Sequence, residues 1–438
     1  MNTQTAATYW EIPHNLKYEE PIDENSPFFV DTAEARGHFS FNRIYKSLFI
    51  DPISMSFKTT PPNRSYQLFL GHRGCGKSTE LRRLSHKLHH GDRFFVIFLD
   101  ALTHLDINNL RYADILLALA ASLSAKLKQE EISISDEYLE PLRKWFDERV
   151  EKHEHTKDYA ADIKTGVKAK TGLPFIADLF AEITTSFKVG STYKEEVRTV
   201  LTNSFSQFAR AFNILLSAAN EAVTKQNKGQ ALLFVIDGTD RLNQQDSQRF
   251  FIEEAYQLQQ IEGNFIYCAP IQLSHEEGQV NELFKTFILP MVKVRQKNDP
   301  TRIEDAYRIL RSLIYRRIHA NLFDTEETVN YLIDYSGGNP RHLIRLLDYA
   351  YQDAEDEIID TAAAQKAVKH LSSDLRKILN TDDYVLLARI DSSDEEINDD
   401  KVRHLLYNLA LLEYNDYWRL SHPVVRTLKA YQDAIANL

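Results

Sequence analysis

The chain has 438 residues, more than one ordinary hydrophobic core accommodates, so two or more domains are expected. Hydrophobic residues make up 43% and charged residues 26%, which excludes a disordered chain. No apolar run approaches the roughly 20 residues of a membrane-spanning helix, and the net charge of −11 argues against a protein that coats DNA by bulk attraction. Two cysteines, Cys75 and Cys268, cannot form a disulfide framework, and the first residues show no secretory signal, so a cytoplasmic protein is expected.

The first 65 residues, here called the lead-in segment, contain repeated prolines that prevent any long element. Short apolar runs then predict buried strands at 66–70, 93–100, 231–238, 264–270 and 287–294. Such runs, separated by helical patterns, are typical of a parallel sheet covered by helices on both faces. We therefore predict an α/β domain over 66–295, with a helical insertion at 132–197 and a crossover helix at 198–223.

A glycine-rich loop (residues 71–78, GHRGCGKS) fits the pattern G-x-x-x-x-G-K-[ST] between a predicted strand and a predicted helix. Backbone N–H groups turn inward around a phosphate in conformations that a β-carbon disfavours, which explains the glycines. In this pattern Lys77 reaches the β- and γ-phosphates, and the hydroxyl of Ser78 binds Mg²⁺. The predicted nucleotide-binding residues of this segment are Gly71, Gly74, Cys75, Gly76, Lys77, Ser78 and Thr79.

A carboxylate follows the third predicted strand. The run LLFVIDGTD places Asp237 where a buried strand emerges at the ligand-binding edge of a parallel sheet. A phosphate-binding loop requires such a carboxylate, expected on a neighbouring strand, to hold Mg²⁺. The predicted metal ligands are therefore Ser78 and Asp237, and an ordinary turn after a core strand is the alternative.

After residue 295 the predicted strands stop, and three helices are predicted at 301–322, 325–336 and 340–357. The corner before the third helix, SGGNPRHLIRLL, combines two glycines with Pro340, which suits the first turn of a helix. These helices form a predicted helical lid domain over 296–372.

The remaining residues, 373–438, show a winged-helix pattern: helices at 382–390 and 401–411, a hairpin turning at Asn415–Asp416, and a closing helix. Residues 380–438 carry eleven acidic and six basic side chains, a net charge of about −5 that opposes attraction to phosphate. DNA binding by this domain is therefore disfavoured by charge.

With the glycine-rich loop and Asp237 in place, the sequence resembles the additional-strand P-loop ATPases, a group that includes the AAA+ proteins and the STAND signalling ATPases. The resemblance covers roughly 25–438 and implies a parallel-sheet P-loop NTPase domain with a helical insertion, followed by a helical lid and a winged helix. In AAA+ members a glutamate that polarises the attacking water directly follows the aspartate, whereas here that position is Gly238. Asp240 either orients water or caps the next helix and pairs with Arg241. The resemblance thus implies slow or conditional ATP hydrolysis.

Other positions take roles from the same resemblance. Gln272 lies where such proteins place a γ-phosphate sensor, and an ordinary loop residue is the alternative. By the lid motif, Pro340 would lie against adenine and Arg341 would reach toward the γ-phosphate. The segment YWRLSHPVVRTL resembles the MHD segment of STAND proteins, which would place His422 at the β-phosphate of ADP, although Pro423 replaces the aspartate of that family. The implied catalytic residues are Lys77, Asp237, Asp240 and Arg341.

The function that the resemblance implies is an ATP-driven switch that binds ATP, ADP and Mg²⁺ and controls self-association as a homo-oligomer or a separate effector protein. The winged helix would then fold back and lock ADP in place, as in STAND proteins. The chain is also similar to stand-alone bacterial ATPases, some of which serve in anti-phage defence. Two other functions stay open: an initiator-like or transposition-regulating ATPase that loads on DNA, and a P-loop small-molecule kinase, for which the lid and winged helix would be superfluous.

Overall fold

A computed structural model of the chain describes residues 4–37, 39–149, 172–189, 192–276, 279–297, 299–393, 397–415 and 418–438. Asp416, predicted as part of the hairpin turn, lies outside these residues. Among the helices that the structure describes, none has the length and apolar character that crossing a bilayer requires.

The centre of the molecule is a five-stranded, all-parallel sheet. Its strands are β1 (Ser65–Gly71), β2 (Phe94–Asp100), β3 (Ala231–Asp237), β4 (Asn264–Pro270) and β5 (Lys285–Ile288), in the order β2-β3-β4-β1-β5. The predicted α/β class with a parallel sheet is confirmed. The expectation that Asp237 lies on a strand neighbouring β1 is wrong, because β4 is inserted between β3 and β1. The predicted strand 287–294 is shorter than expected and ends two residues before Pro290, which has no backbone N–H to extend the ladder.

Helices cover both faces of this sheet. They are α1 (Lys77–Leu88), α2 (Tyr112–Gln129), α3 (Asp136–Arg149), α4 (Gly172–Val189), α5 (Thr192–Asn203) and α6 (Phe205–Lys225). Alternate residues of each strand point to opposite faces, so Phe95 and Phe234 pack among α2, α4 and α6, whereas Phe94 and Leu233 pack on the face covered by α1. The described helices of the predicted insertion therefore share the core of the sheet. The predicted crossover helix 198–223 is divided at Ser204 into α5 and α6.

The C-terminal half is helical. It contains α7 (Glu304–Tyr315), α8 (Glu326–Ser336), α9 (Pro340–Asp353), α10 (Thr361–Arg376), α11 (Thr381–Ser392), α12 (Asp400–Tyr407), the antiparallel strands β6 (Leu411–Glu413) and β7 (Arg419–Ser421), and α13 (Lys429–Ala436). The predicted boundary between residues 372 and 373 falls inside α10. We call residues 380–438 the C-terminal unit. One apolar core includes α7 to α10, the C-terminal unit and lead-in residues such as Ile12 and Leu16.

Shorter elements connect these parts. They are helices at Ile12–Asn15, Asn42–Ser47, Ala101–His104, Gln244–Gln248, Ala255–Leu258 and Gln279–Leu283, and antiparallel pairs of Ile50–Asp51 with Ser56–Phe57 and of Arg295–Gln296 with Asp299–Arg302.

Candidate functional site

The glycine-rich loop joins the carboxyl end of β1 to the first turn of α1. Gly74 and Gly76 adopt φ angles of +77° and +104°, which side chains of L-residues rarely tolerate. A Cβ atom on Gly74 would lie 2.6 Å from Cβ of Arg341 in α9. Glycine at this position therefore permits both the loop conformation and the close approach of the lid.

Lys77 is buried at the base of this loop. Its Nζ donates to the backbone carbonyls of Gly71 and His72, at 2.8 Å each, and lies 2.9 Å from Oδ2 of Asp240. Burial disfavours the charged form of Lys77, but the carboxylate of Asp240 more than offsets this, so the pKa of Lys77 is raised. The amino group of Lys77 is thus protonated and held in the centre of the loop.

Ser78 and Asp237 meet beside Lys77, as the sequence predicts for two ligands of one metal ion. The hydroxyl of Ser78 donates to Oδ1 of Asp237 at 2.9 Å. Burial, and then the neighbouring charge of Asp240, raise the pKa of Asp237 above its ordinary value. The hydroxyl and the carboxylate offer two adjacent oxygen ligands, which fit a hard divalent cation such as Mg²⁺. The ionised form of Asp237 lacks a full counter-charge, and such a cation would supply it.

A third side chain approaches these carboxylates. Ligand atoms of Asp237, Asp240 and Cys268 lie within 4.8 Å of one another. Burial, followed by the charge of the two aspartates, raises the pKa of the Cys268 thiol well above its ordinary value. A protonated thiol is a poor metal ligand, so the carboxylate oxygens are the groups of this cluster that best suit a hard cation.

Asp240 takes a partner that neither alternative from the sequence includes. Its carboxylate pairs with Lys77, while Arg241 pairs with Glu19, and the next helix, Gln244–Gln248, is capped by the side chain of Asn243. Burial opposes ionisation of Asp240, but Lys77 outweighs it and the pKa of Asp240 is lowered. Asp240 is therefore an ionised carboxylate beside the glycine-rich loop, in position to accept a proton or hold a water once Lys77 is engaged elsewhere.

The corner before α9 connects the predicted helical lid to the glycine-rich loop by hydrogen bonds. Asn339 caps α9 by accepting from the N–H groups of Arg341 and His342, at 3.0 and 3.2 Å. Its amide nitrogen donates to the carbonyl of Arg73 at 2.9 Å, and the N–H of Arg341 donates to the carbonyl of Gly74 at 3.3 Å. The lid and the loop are thereby joined by one side-chain and one backbone hydrogen bond.

A cleft lies between the glycine-rich loop, β3 and the lid. The predicted site residues that line it are Gly74, Gly76, Lys77, Ser78, Thr79, Asp237, Asp240, Pro340 and Arg341. Residues 17–22 of the lead-in segment form another wall. Gly71 and Cys75 belong to the loop but do not line the cleft; a Cβ on Gly71 would lie 3.0 Å from Sγ of Cys75.

His422 and Gln272 are not brought into this cleft. His422 is fully buried, and its Nε2 lies 2.8 Å from Nδ1 of His342, at the start of α9. Gln272 is 1% exposed, and its amide finds no hydrogen-bond partner within the part of the chain that the structure describes. In this arrangement His422 holds the C-terminal unit against the lid, and its predicted contact with ADP stays a prediction.

The C-terminal unit also contacts the glycine-rich loop directly. The N–H of Glu413 in β6 donates to Nε2 of His72 at 2.8 Å, and the hydroxyl of Tyr414 donates to the carbonyl of Gly337 at 2.9 Å. Burial lowers the pKa of His72 to about 4 and that of His342 to about 3, and it lowers the pKa of His422 well below its ordinary value. The contact is therefore built from neutral imidazoles.

Sequence reasoning missed four features of the site: the wall at residues 17–22, the carboxylate of Glu19, the cap at Asn339 and the contact of His72. Asparagine directly before a proline at a helix start is a recognised capping signal, so Asn339 was predictable. Glu19 and His72 lie in segments without periodicity, and no local pattern indicates their partners.

A scan against protein-family models and a search of curated proteins find no match to this chain. The resemblance to P-loop ATPases therefore stays a prediction.

Proposed function

We propose that this protein binds ATP with Mg²⁺ in the cleft beside the glycine-rich loop, hydrolyses it slowly, and uses the nucleotide to control the C-terminal unit. The observation that carries the proposal is the convergence of two pairs at one sheet edge, Lys77 with Asp240 and Ser78 with Asp237, each at 2.9 Å. An ammonium, a hydroxyl and a carboxylate beside a glycine-rich loop that precedes a helix suit a magnesium-bound triphosphate.

Each residue has a distinct role in this proposal. Lys77 would exchange Asp240 for phosphate oxygens, while Ser78 and Asp237 would hold Mg²⁺. Bound Mg²⁺ would bridge phosphate oxygens and neutralise the charge that develops on them. Pro340, beside Ile344 and Tyr18 in the cleft, would contact the base.

Slow hydrolysis follows from the position of Asp240. Gly238 provides no side chain next to Asp237, so we assign the role of orienting the attacking water to Asp240, which lines the same cleft. Its charge is engaged by Lys77 at 2.9 Å. Asp240 would orient water only after a phosphate has drawn Lys77 away, which makes hydrolysis conditional on correct binding.

The proposed output is a movement of the C-terminal unit, to which we assign a winged-helix fold. The order α11, α12, β6 and β7 favours that fold, and the hairpin is placed against His72 of the glycine-rich loop. A phosphate that reshapes the loop would alter this contact and expose a surface for self-association or for a separate effector protein. A role in anti-phage defence rests on analogy alone.

Calorimetry with a non-hydrolysable ATP analogue and Mg²⁺ tests the proposal. Lys77→Ala should weaken binding by about a hundredfold, the loss expected for a charged hydrogen-bonding group. Lys87→Ala, an exposed lysine on the same helix, is the matched control and should bind as the unmodified chain does. Equal affinity of the Lys77 variant and the unmodified chain would refute the proposal.

Light scattering without nucleotide, with ADP and with the analogue tests the output. A change in mass between ADP and the analogue supports control of self-association, whereas a constant mass directs attention to a separate effector. Phosphate release with no phosphorylated small molecule would separate the ATPase from a kinase.

A DNA-loading ATPase is the second candidate from the sequence, and the geometry disfavours it. The hairpin strand β6 is buried, with Glu413 4% exposed at its side chain, so it does not present a wing to DNA in this arrangement. Filter binding to DNA at several salt concentrations distinguishes this candidate from the proposed function, because a DNA site loses affinity steeply as salt increases.

A further inference from the structure

Two arginines on different elements share one carboxylate inside the cleft. Nη2 of Arg241, which follows β3, lies 3.1 Å from Oε2 of Glu19, and Nη2 of Arg341, in α9, lies 3.5 Å from the same oxygen. Both arginines line the cleft with Lys77 and Ser78. A pair of guanidinium groups converging on one oxygen is an anion-binding arrangement.

The carboxylate is held there by its own segment. Upstream, the amide of Asn15 donates to the carbonyl of Arg317 at 2.8 Å; downstream, the N–H of Ile22 donates to Oγ1 of Thr79 at 3.2 Å. Residues 17–22 are therefore anchored on both sides, and one anchor is Thr79, the residue directly after Ser78. Glu19 thus belongs to a segment that is anchored on both sides.

The arginines nonetheless retain capacity for a further anion. Nε of Arg341 is buried and has no hydrogen-bond partner among the described residues. The side chain of Glu19 is 56% exposed, whereas those of Arg241 and Arg341 are 29% and 20% exposed. Ion pairs with so exposed a partner contribute little to stability, and a phosphate makes more and stronger contacts with arginine than one carboxylate oxygen does. Exchange of Glu19 for a phosphate would thus cost little.

We propose that Glu19 is a built-in competitor for the terminal phosphate of a nucleoside triphosphate. Without that phosphate, Arg241 and Arg341 bind Glu19 and hold residues 17–22 over the cleft. A triphosphate takes both arginines and releases this segment, whereas a diphosphate lacks the group that competes. The inference rests on the proposed function and adds to it the source of discrimination between ATP and ADP.

Glu19→Gln tests this inference, with calorimetric affinities for the magnesium complexes of a non-hydrolysable ATP analogue and of ADP. The variant should bind the analogue about three- to tenfold more tightly, since it loses a weak competing ion pair, and should bind ADP within about twofold of the unmodified chain. Glu34→Gln is the matched control, because Glu34 is a lead-in glutamate of similar exposure that lies 3.1 Å from Arg308 on the outside of the lid. Both affinities should be unchanged in the control.

Hydrogen exchange of peptides covering residues 17–22 gives a second measurement. In the unmodified chain the analogue should speed exchange of these peptides and ADP should not; in Glu19→Gln, exchange should already be fast without nucleotide. Equal effects of Glu19→Gln on both nucleotides, or no effect on either, would overturn the inference while leaving the proposed function intact. An unmodified chain that binds neither nucleotide would overturn both.

Discussion

Glu19, in residues 17–22 of the lead-in segment, reaches the cleft through exposed ion pairs, whereas His72, Tyr414 and His422 join the C-terminal unit to the same loop and lid through buried neutral groups. On the first side, Glu19 bridges Arg241 and Arg341 with more than half of its side chain exposed. On the second side, His72 and the pair of His342 with His422 are almost fully buried. The difference shows how one site can respond to separate signals, because exposed charges respond to competing anions and salt, and buried imidazoles respond to protons.

The largest effect is expected on the buried side, from acid. A histidine whose pKa is lowered in the folded state stays neutral there, while the unfolded chain takes up a proton below about pH 6.5. Stability should therefore be full above about pH 6.5 and fall as the pH decreases toward the folded pKa of about 4 for His72 and about 3 for His342. At about pH 5 each such histidine costs about 2 kcal/mol.

Urea unfolding at about pH 7.5 and about pH 5 measures this loss. The charged groups that act on His72 and His342 include Glu413, Lys77, Arg341 and Arg345. His404→Ala, an exposed histidine of the same unit, should leave the pH dependence unchanged, whereas His422→Phe should reduce it. Equal stability of the unmodified chain at the two pH values would break the comparison between the two sides.

Between the two sides lies the buried ion pair of Lys77 in the loop with Asp240 after β3, and its removal should have the next largest effect. Lys77→Met leaves Asp240 buried without its counter-charge and should lower the free energy of unfolding by about 3 kcal/mol. The double variant Lys77→Met with Asp240→Asn should recover most of that loss. Lys87→Met is the exposed control. If the double variant is no more stable than Lys77→Met, the loss of stability does not come from leaving Asp240 without its counter-charge.

The predictable part of the site follows from one rule of parallel sheets. Strands that run in the same direction end at the same edge, so an aspartate after β3 and a glycine-rich loop after β1 were expected to meet, and Ser78 lies 2.9 Å from Asp237. The rule does not depend on strand order, which explains why Ser78 and Asp237 lie together although β4, itself a predicted strand, is inserted between β3 and β1. The lid corner was similarly readable from Pro340.

The remaining contacts join segments that no local pattern links. Glu19 and Arg241 are 222 residues apart, and His342 and His422 are 80 residues apart. Each of these contacts depends on how two helical layers and an irregular segment pack against one another. A single sequence carries no periodic signal for such packing. His422 was singled out by a motif, but its neighbour is an imidazole of the lid and not a cleft residue.

A smaller effect on the buried side should come from Tyr414, whose hydroxyl donates to the carbonyl of Gly337 at 2.9 Å. Tyr414→Phe removes one buried hydrogen bond and should lower the free energy of unfolding by about 1 kcal/mol, with no added pH dependence between about pH 6 and pH 8. Tyr256→Phe, at a tyrosine that is 67% exposed, is the control. A loss that grows with acidity would mean that the histidines and Tyr414 form one coupled contact.

The smallest effect belongs to the exposed side and should come from salt. Raising sodium chloride from about 0.05 M to about 0.5 M shortens the screening length to a few ångströms and should weaken the pairs of Glu19 by less than about 1 kcal/mol. Hydrogen exchange of residues 17–22 should speed up accordingly, while peptides around His422 stay protected, because a contact between neutral imidazoles has no net charge to screen. In Glu19→Gln the same peptides should be insensitive to salt, since the charge that salt screens is absent. If salt instead loosened residues around His422 as much as residues 17–22, the two sides would form one charge-dependent assembly, and the separation of a proton-sensitive contact from an anion-sensitive one would have to be abandoned.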